Sequence, residues 1–297
     1  MIFFSDAGNH ASMIHGVLNS WASKKIFKHN DLEHLEELLA TSPPDVAKVI
    51  LFESVYSMSG SVAPIKEMIK LAKKYNALTF VDEVHAVGLY GPTGAGYAER
   101  LGVSDQIDMI TGTMGKGYGV FGGYVVGQDE VIDAIRSNAP GFIFTTSLPP
   151  AVTAAAKASI NHLRHSQVER DHHQKQSRYM LQTLLEADLP VLNSRSHIVP
   201  LFIGDPAVTK SVSDTLLNEY QVYVQPINYP TVPKGEEVLR LSPTPCHTNE
   251  LIDHFAQSCR EVWIRHGIKM YSDYANDPKY EGKFFPYASK KKLAFAY

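Results

Sequence analysis

FVDEVHAVGLYGPTGAGYAERLGVSDQIDMITGTMGKGYGVFGGYVV, residues 80–126, is the stretch whose reading decides the fold. An apolar run at residues 78–81 delivers Asp82 and His85, and a second at 107–110 delivers Thr111, Thr113 and Lys116. Short apolar runs bounded by turn residues read as strands covered on both faces. Acid, imidazole, hydroxyl and amine are then presented at the ends of two neighbouring parallel strands.

Working outward, residues 46–52 form another nearly continuous apolar run, ending at Glu53, Ser54 and Ser57. Residues 64–75 open on Pro64 and carry Ile65, Met68, Ile69 and Ala72 at helical spacing. Strand, helix and strand therefore alternate through Asp82. The pattern implies an α/β fold whose mostly parallel sheet is flanked by helices, with ligands at the strands' C-terminal ends.

The chemistry of the two strand ends suits pyridoxal 5'-phosphate. That cofactor needs a lysine amine for its aldehyde, a carboxylate to keep its ring nitrogen protonated, and hydroxyls or backbone amides for its phosphate. Lys116, Asp82 and Thr113 have the right groups. A carboxylate beside a pyridinium is held ionised by the opposite charge. Gly115, Gly117 and Gly119 keep side chains away from the lysine, so backbone and ring can approach closely. Taken singly, Lys116 reads equally as a solvated loop lysine and Asp82 as a helix cap; the pair together favours the cofactor. Residues 117–122 also match GxGxxG, the dinucleotide fingerprint. That motif has to open a helix, whereas GGYVV continues into a strand, so a nicotinamide site is not expected.

Five motifs carry a family resemblance: NHASMIHG (9–16), FESVYSMSG (52–60), DEVHAVGLYG (82–91), TMGKGYGVFGGY (113–124) and INYPTVPKGEEVLRLSPTP (227–245). In this order they resemble 5-aminolevulinate synthase, of the α-oxoamine synthase group of fold-type I pyridoxal phosphate enzymes. The resemblance runs from about residue 3 to residue 265. It implies condensation of glycine with succinyl-CoA, releasing CoA and carbon dioxide, at the first step of haem biosynthesis. Sister enzymes, such as glycine C-acetyltransferase or 8-amino-7-oxononanoate synthase, would share Lys116, Asp82 and His85. A shortened, non-catalytic chain is the rival from another class. In the family SDAGNHASMI lies well inside the chain, so the sequence is expected to be a C-terminal portion of a longer protein.

The resemblance implies further roles. His10 would stack on the cofactor ring, His85 and Ser57 would reach the ring oxygen, and Thr145 and Thr146 would reach the phosphate of a neighbouring subunit in a homodimer. Ser5, Lys24, Thr231 and Arg240 would meet substrate. The residues alone leave other readings open: Lys24 as part of a solvated basic face with Lys25 and Lys28, Thr145 and Thr146 as a structural pair at a strand end, and Arg240 as half of an ion pair. A guanidinium does suit a planar two-point contact with an amino acid carboxylate. The family usually has Asp at position 59 and often again at 61, and both are Ser here.

The chain has 297 residues, 44% of them hydrophobic, enough to bury a large core and make two domains. The expected division is a large cofactor domain over residues 1–150, a linking helical region over 151–190, a small α+β domain over 191–266 and an extension over 267–297. In the small domain, strands are expected at 197–202, 222–224 and 239–241, and helices at 207–219 and 249–266. A net charge of −3 gives no global pull towards nucleic acid. Cys246 and Cys259 lack metal-ligand spacing, and His162, His165, His172 and His173 read as a solvated helix face rather than a metal site. No apolar run reaches membrane-spanning length. Localisation is expected to be the mitochondrial matrix for a eukaryotic source and the cytoplasm otherwise. The extension, with Lys290, Lys291 and Lys292, has no assigned task.

Overall fold

The computed structural model describes residues 1–286. The chain divides into two compact units, the first made of Met1–Tyr56 and Val62–Arg170, the second of Ser57–Ser61 and the chain from Asp171 onward. Unit 1 is built on a six-stranded sheet of β1 (Ile2–Asp6), β2 (Ser23–Phe27), β3 (Lys48–Glu53), β4 (Ala77–Asp82), β5 (Met109–Thr113) and β6 (Gly123–Gly127). The order is β2-β1-β3-β4-β5-β6. Every pair is parallel except β5 with β6.

All six residues of β3 are buried, the apolar residues 49–52 and the flanking Lys48 and Glu53 alike, as befits a strand covered on both faces. The register sets Glu53 beside Asp82 and Asp82 beside Thr111, so β3 and β4 end level and β5 runs on two residues to Thr113. The helix Ile65–Lys74 returns the chain from β3 to β4. It buries four of its apolar residues, Ile65, Met68, Ile69 and Ala72. Enclosing each of the larger three contributes about 1.5–3 kcal/mol. The glycine-rich loop after β5 turns back into the antiparallel β6 and opens no helix, which removes the structural context a dinucleotide site needs.

Two expectations for the middle of the chain change. Thr145 and Thr146 do not end a strand; they lie exposed in the link between the short helix Pro140–Ile143 and the helix Pro150–His165. Pro149 and Pro150 explain the difference, since proline withholds the N–H that a sheet ladder needs and suits the first turn of a helix. The helical region after residue 150 is two helices, Pro150–His165 and Val168–Glu186. Ser166, extended at φ −105° and ψ 133°, ends the first.

Unit 2 carries a three-stranded antiparallel sheet, β7 (Val199–Phe202), β8 (Pro226–Ile227) and β9 (Val238–Leu241), in the order β7-β9-β8. Helices Pro206–Tyr220 and Asn249–Arg265 match the expected positions within a residue. Residues 222–224 are not a strand. Gln221 takes a left-handed conformation at φ 58°, the Val222 amide donates to the Leu216 carbonyl, and the Val224 carbonyl accepts the Ser213 hydroxyl at 2.6 Å. These backbone groups are spent on the preceding helix, so pairing begins only at Pro226. The core is Leu184, Leu189, Leu201, Leu216, Leu239 and Trp263, all fully enclosed.

The described part of the C-terminal extension closes the edge of this small sheet. Phe285 N donates to Val191 O and Asn193 N to Lys283 O. Tyr274 and Phe284 are buried with Phe202 and Val238. Aromatic residues that looked unassigned in the sequence thus cover one end of unit 2; Lys290, Lys291 and Lys292 lie outside the described residues.

His173 also departs from expectation. It is 4% exposed rather than solvated, with its ring 5.0 Å from that of His197. Burial lowers its pKa to about 4 from 6.5. Between those values the unfolded chain binds a proton that the folded unit refuses. Stability should therefore fall as the pH drops through this window, by up to about 3 kcal/mol. His173→Gln is expected to remove that component. Urea midpoints at pH 7 and pH 4.5 check it: the variant should gain on the wild type at the lower pH. Among the described residues no helix is long and apolar enough to cross a membrane.

Candidate active site

The end of β4 passes directly into Asp82, Glu83 and His85, and the end of β5 into Thr113 and the Lys116 loop. Lys116 Nζ lies 2.6 Å from His85 Nε2. Asp82 is 7% exposed, and its Oδ1 accepts the Val84 N–H at 2.7 Å. Burial raises its pKa above the usual carboxylate value, while the Val84 amide and the charges of Lys116 and His10 pull it back. Asp82, His85, Lys116 and His10 are therefore brought together within unit 1. Lys116 itself is exposed.

Backbone close approach holds the lysine loop. A Cβ on Gly117 would stand 2.5 Å from the Val87 carbonyl oxygen, and Gly88, at φ 80°, lies against Gly117. Tyr118 donates its hydroxyl to Gly94 O at 3.1 Å, and Ser159 donates to Tyr118 O at 2.8 Å. The Thr113 hydroxyl donates to Gly122 O and accepts the Gly115 N–H, each at 3.1 Å. Thr113 thus shapes the loop, with one lone pair left for a ligand.

His10 caps the helix Ala11–Asn19, its Nδ1 accepting the Ser12 N–H at 3.2 Å with an exposed ring. Ser5 is 6% exposed and accepts from Asn9 Nδ2 at 2.9 Å. Lys24 is exposed on the edge strand β2, whereas Lys25 donates to Ser42 Oγ and Leu38 O. The basic cluster is therefore split between a solvent-facing and a structural lysine.

In unit 2, Arg240 lies on β9 and donates Nε to Ser57 O at 2.6 Å. Ser57 is 9% exposed. Burial lowers the Arg240 pKa, and a cavity of about 480 Å³ opens beside it, lined in part by Leu241, His247 and Phe255. The arginine has no carboxylate partner among the described residues, which disfavours the ion-pair reading. Thr231 is exposed, and its N–H donates to Asn228 O at 3.0 Å.

Two carboxylates escaped the sequence reading. Asp6 is 2% exposed; its Oδ1 meets Gly8 N and His29 Nδ1 at 2.7 Å, and its Oδ2 accepts Asn30 N at 2.8 Å. It fixes the turn that leads to His10. Glu83 is fully buried, accepting from Ser54 Oγ at 2.5 Å, Tyr97 N at 2.9 Å and Ala98 N at 2.7 Å. Burial pushes its carboxyl up to about 7 despite those three donors. Asp6 stands two residues before a glycine, the pattern of an Asx turn, and could have been found. The partners of Glu83 are 14 and 29 residues away in sequence, beyond any local pattern.

The model for aminotransferase class I and II matches residues 2–258. The chain belongs to that family. Among curated relatives of this aminotransferase-family chain, the mitochondrial 5-aminolevulinate synthase of Emericella nidulans is 51% identical over 291 residues, covering 92% of this chain and 45% of the relative. The 5-aminolevulinate synthase of Rhizobium meliloti is 53% identical over 265 residues, covering 89% and 66%. The chain thus spans about half to two thirds of the length of these relatives. Among solved structures, serine palmitoyltransferase from S. paucimobilis with a bound PLP-myriocin aldimine matches with a TM-score of 0.85 at 33% identity, over 90% of this chain and 67% of that one. The fold-type I architecture expected for the aminotransferase-family chain is borne out by this likeness.

Proposed function

We propose that this chain carries the pyridoxal phosphate centre of a 5-aminolevulinate synthase, which joins glycine to the succinyl group of succinyl-CoA and releases CoA and carbon dioxide. The observation that carries the reading is the 2.6 Å approach of Lys116 Nζ to His85 Nε2 beside the buried Asp82. Relatives named 5-aminolevulinate synthase stand at 51–53% identity, against 33% for serine palmitoyltransferase, which favours this member of the group.

The residues fit the cofactor. Asp82 offers a buried carboxylate whose Oδ2 takes no hydrogen bond among the described residues, and the close packing of Gly117 on the Val87 and Gly88 backbone fixes the loop that presents Lys116. Pyridoxal phosphate, when bound, supplies an aldehyde for an amine and a ring that accepts the electron pair left on an amino acid Cα. Lys116 Nζ would hold the aldehyde carbon and, once released by glycine, take the Cα proton. Asp82 would hold the proton on the ring nitrogen, and a cation there would keep its carboxylate ionised. His85 would orient Lys116 and the ring oxygen; the exposed His10 ring is available to stack. Thr113 would donate its hydroxyl proton to the phosphate, turning it from Gly122 O. Ser57 and Arg240 would hold the ring oxygen and the glycine carboxylate, Arg240 through the terminal nitrogens that its bond to Ser57 leaves over. Ser5, Lys24 and Thr231 would meet the acyl-CoA substrate.

A homodimer is part of the proposal. Phe121, Phe142 and Phe144 are 67%, 54% and 85% exposed, and Thr145 and Thr146 follow at once. Covering those rings with a second copy would carry both threonines towards a partner's phosphate. The fungal relatives are named mitochondrial, which supports the mitochondrial matrix for a eukaryotic source. The deciding assay incubates the protein with glycine and succinyl-CoA; 5-aminolevulinate should form, and preference for another acyl-CoA would overturn the substrate assignment. Gly117→Ala should lower affinity for pyridoxal phosphate by about tenfold or more, because its methyl displaces the lysine loop from Val87. Titration with the cofactor checks this, and unchanged affinity would count against the loop's role.

A further inference from the structure

We infer that Glu83 is a positioning residue that sets the approach of Lys116 to His85, an inference that rests on the function proposed above. Its carboxylate is wholly enclosed and ties the turn after β4 that carries it to two other segments: Ser54 after β3, and the amides of Tyr97 and Ala98 at the start of the helix Tyr97–Leu101. The 84–96 loop, which carries His85, is therefore pinned at both ends by a single side chain. Gly96, at φ 130°, completes the clamp, since a Cβ there would lie 2.8 Å from the Glu83 carboxylate.

The loop so pinned is the surface on which the lysine loop rests. Gly94 O accepts the Tyr118 hydroxyl, and the Val87 and Gly88 backbone abuts Gly117. His85 stands on one side of this contact and Lys116 on the other. A shift of the pinned loop moves His85 away from Lys116 with no change to either residue. Enclosing an ionisable group is costly, and an amide or apolar side chain of similar size would fill the space at lower cost. The carboxylate is retained where two backbone amides and a hydroxyl must all be accepted at once, which neither substitute can do.

The experiment compares the wild-type chain with Glu83→Gln, Glu83→Ala, Ser54→Ala and Lys116→Ala. Without cofactor, the titration of the His85 imidazole is followed by NMR on histidine-labelled protein. Lys116→Ala shows how far the midpoint moves when the amine is lost. Glu83→Gln, which keeps size and one accepting oxygen, should displace it in the same direction with far-UV circular dichroism preserved, and Ser54→Ala should do so less. Affinity for pyridoxal phosphate should fall by about tenfold in Glu83→Gln. An unmoved His85 midpoint in Glu83→Gln overturns the inference, even if Glu83→Ala fails to fold. If wild type fails to capture the cofactor through Lys116 while the midpoint still follows Glu83, the proposed function falls and the inference stands. Capture by wild type with an unmoved midpoint sinks the inference alone.

Discussion

Lys116→Ala is expected to abolish the visible absorbance that develops when pyridoxal phosphate is added to the chain, and, on the function proposed above, to end formation of 5-aminolevulinate. The amine is the only group of the cluster able to condense with the cofactor's aldehyde; Asp82, His85 and His10 can only orient or hold a proton. The variant should fold as the wild type does, since Lys116 is exposed. Spectra of both proteins at equal cofactor concentration decide it. A band of wild-type intensity in Lys116→Ala would move the covalent role to another lysine. Losing a covalent nucleophile is a change of several orders of magnitude in rate, so residual activity would be conspicuous.

Trp263→Ala should be the most damaging change to unit 2. The indole is fully enclosed in the core formed with Leu184, Leu189, Leu201 and Leu216. Truncating a buried tryptophan costs about 3–5 kcal/mol, a large part of what a domain possesses. Its Nε1 has no hydrogen-bond partner among the described residues, so Trp263→Phe gives up an unsatisfied donor along with some volume. That variant should cost under about 2 kcal/mol. Urea unfolding of the three proteins checks the order; equal losses for the two variants would mean that the polar edge of the indole, rather than its volume, matters.

Legibility followed the range of the forces involved. The strands ending at Glu53, Asp82 and Thr113 could be read from apolar runs alone, because a strand covered on both faces leaves an uninterrupted pattern in one stretch. The helix Ile65–Lys74 was equally plain from its spacing. Residues 222–224 misled because apolar alternation says nothing about whether the backbone has spent its hydrogen bonds on the preceding helix. Residues 145–146 misled because two threonines look like strand while the following prolines rule it out. His173 lies on a polar-looking helix, and only the fold encloses it against His197.

The candidate site divides the same way. Lys116, Asp82 and His85 were legible because each has a chemical type the cofactor demands and sits beside a turn that presents it. The support beneath them was not: Glu83 reaches Ser54, Tyr97 and Ala98 across the fold, and Asp6 reaches His29 and Asn30. Such contacts depend on strand order, which composition and periodicity do not encode. Thr113 kept its expected neighbourhood but spends most of its hydroxyl on the lysine loop.

The most direct test is chemical. The chain is mixed with pyridoxal phosphate, reduced with borohydride, digested and mapped by mass spectrometry. The account predicts a phosphopyridoxyl group on the peptide that contains Lys116, at close to one per chain, and its loss in Lys116→Ala with no gain elsewhere. Label spread over surface lysines such as Lys24 and Lys28, or unchanged label in Lys116→Ala, would contradict it.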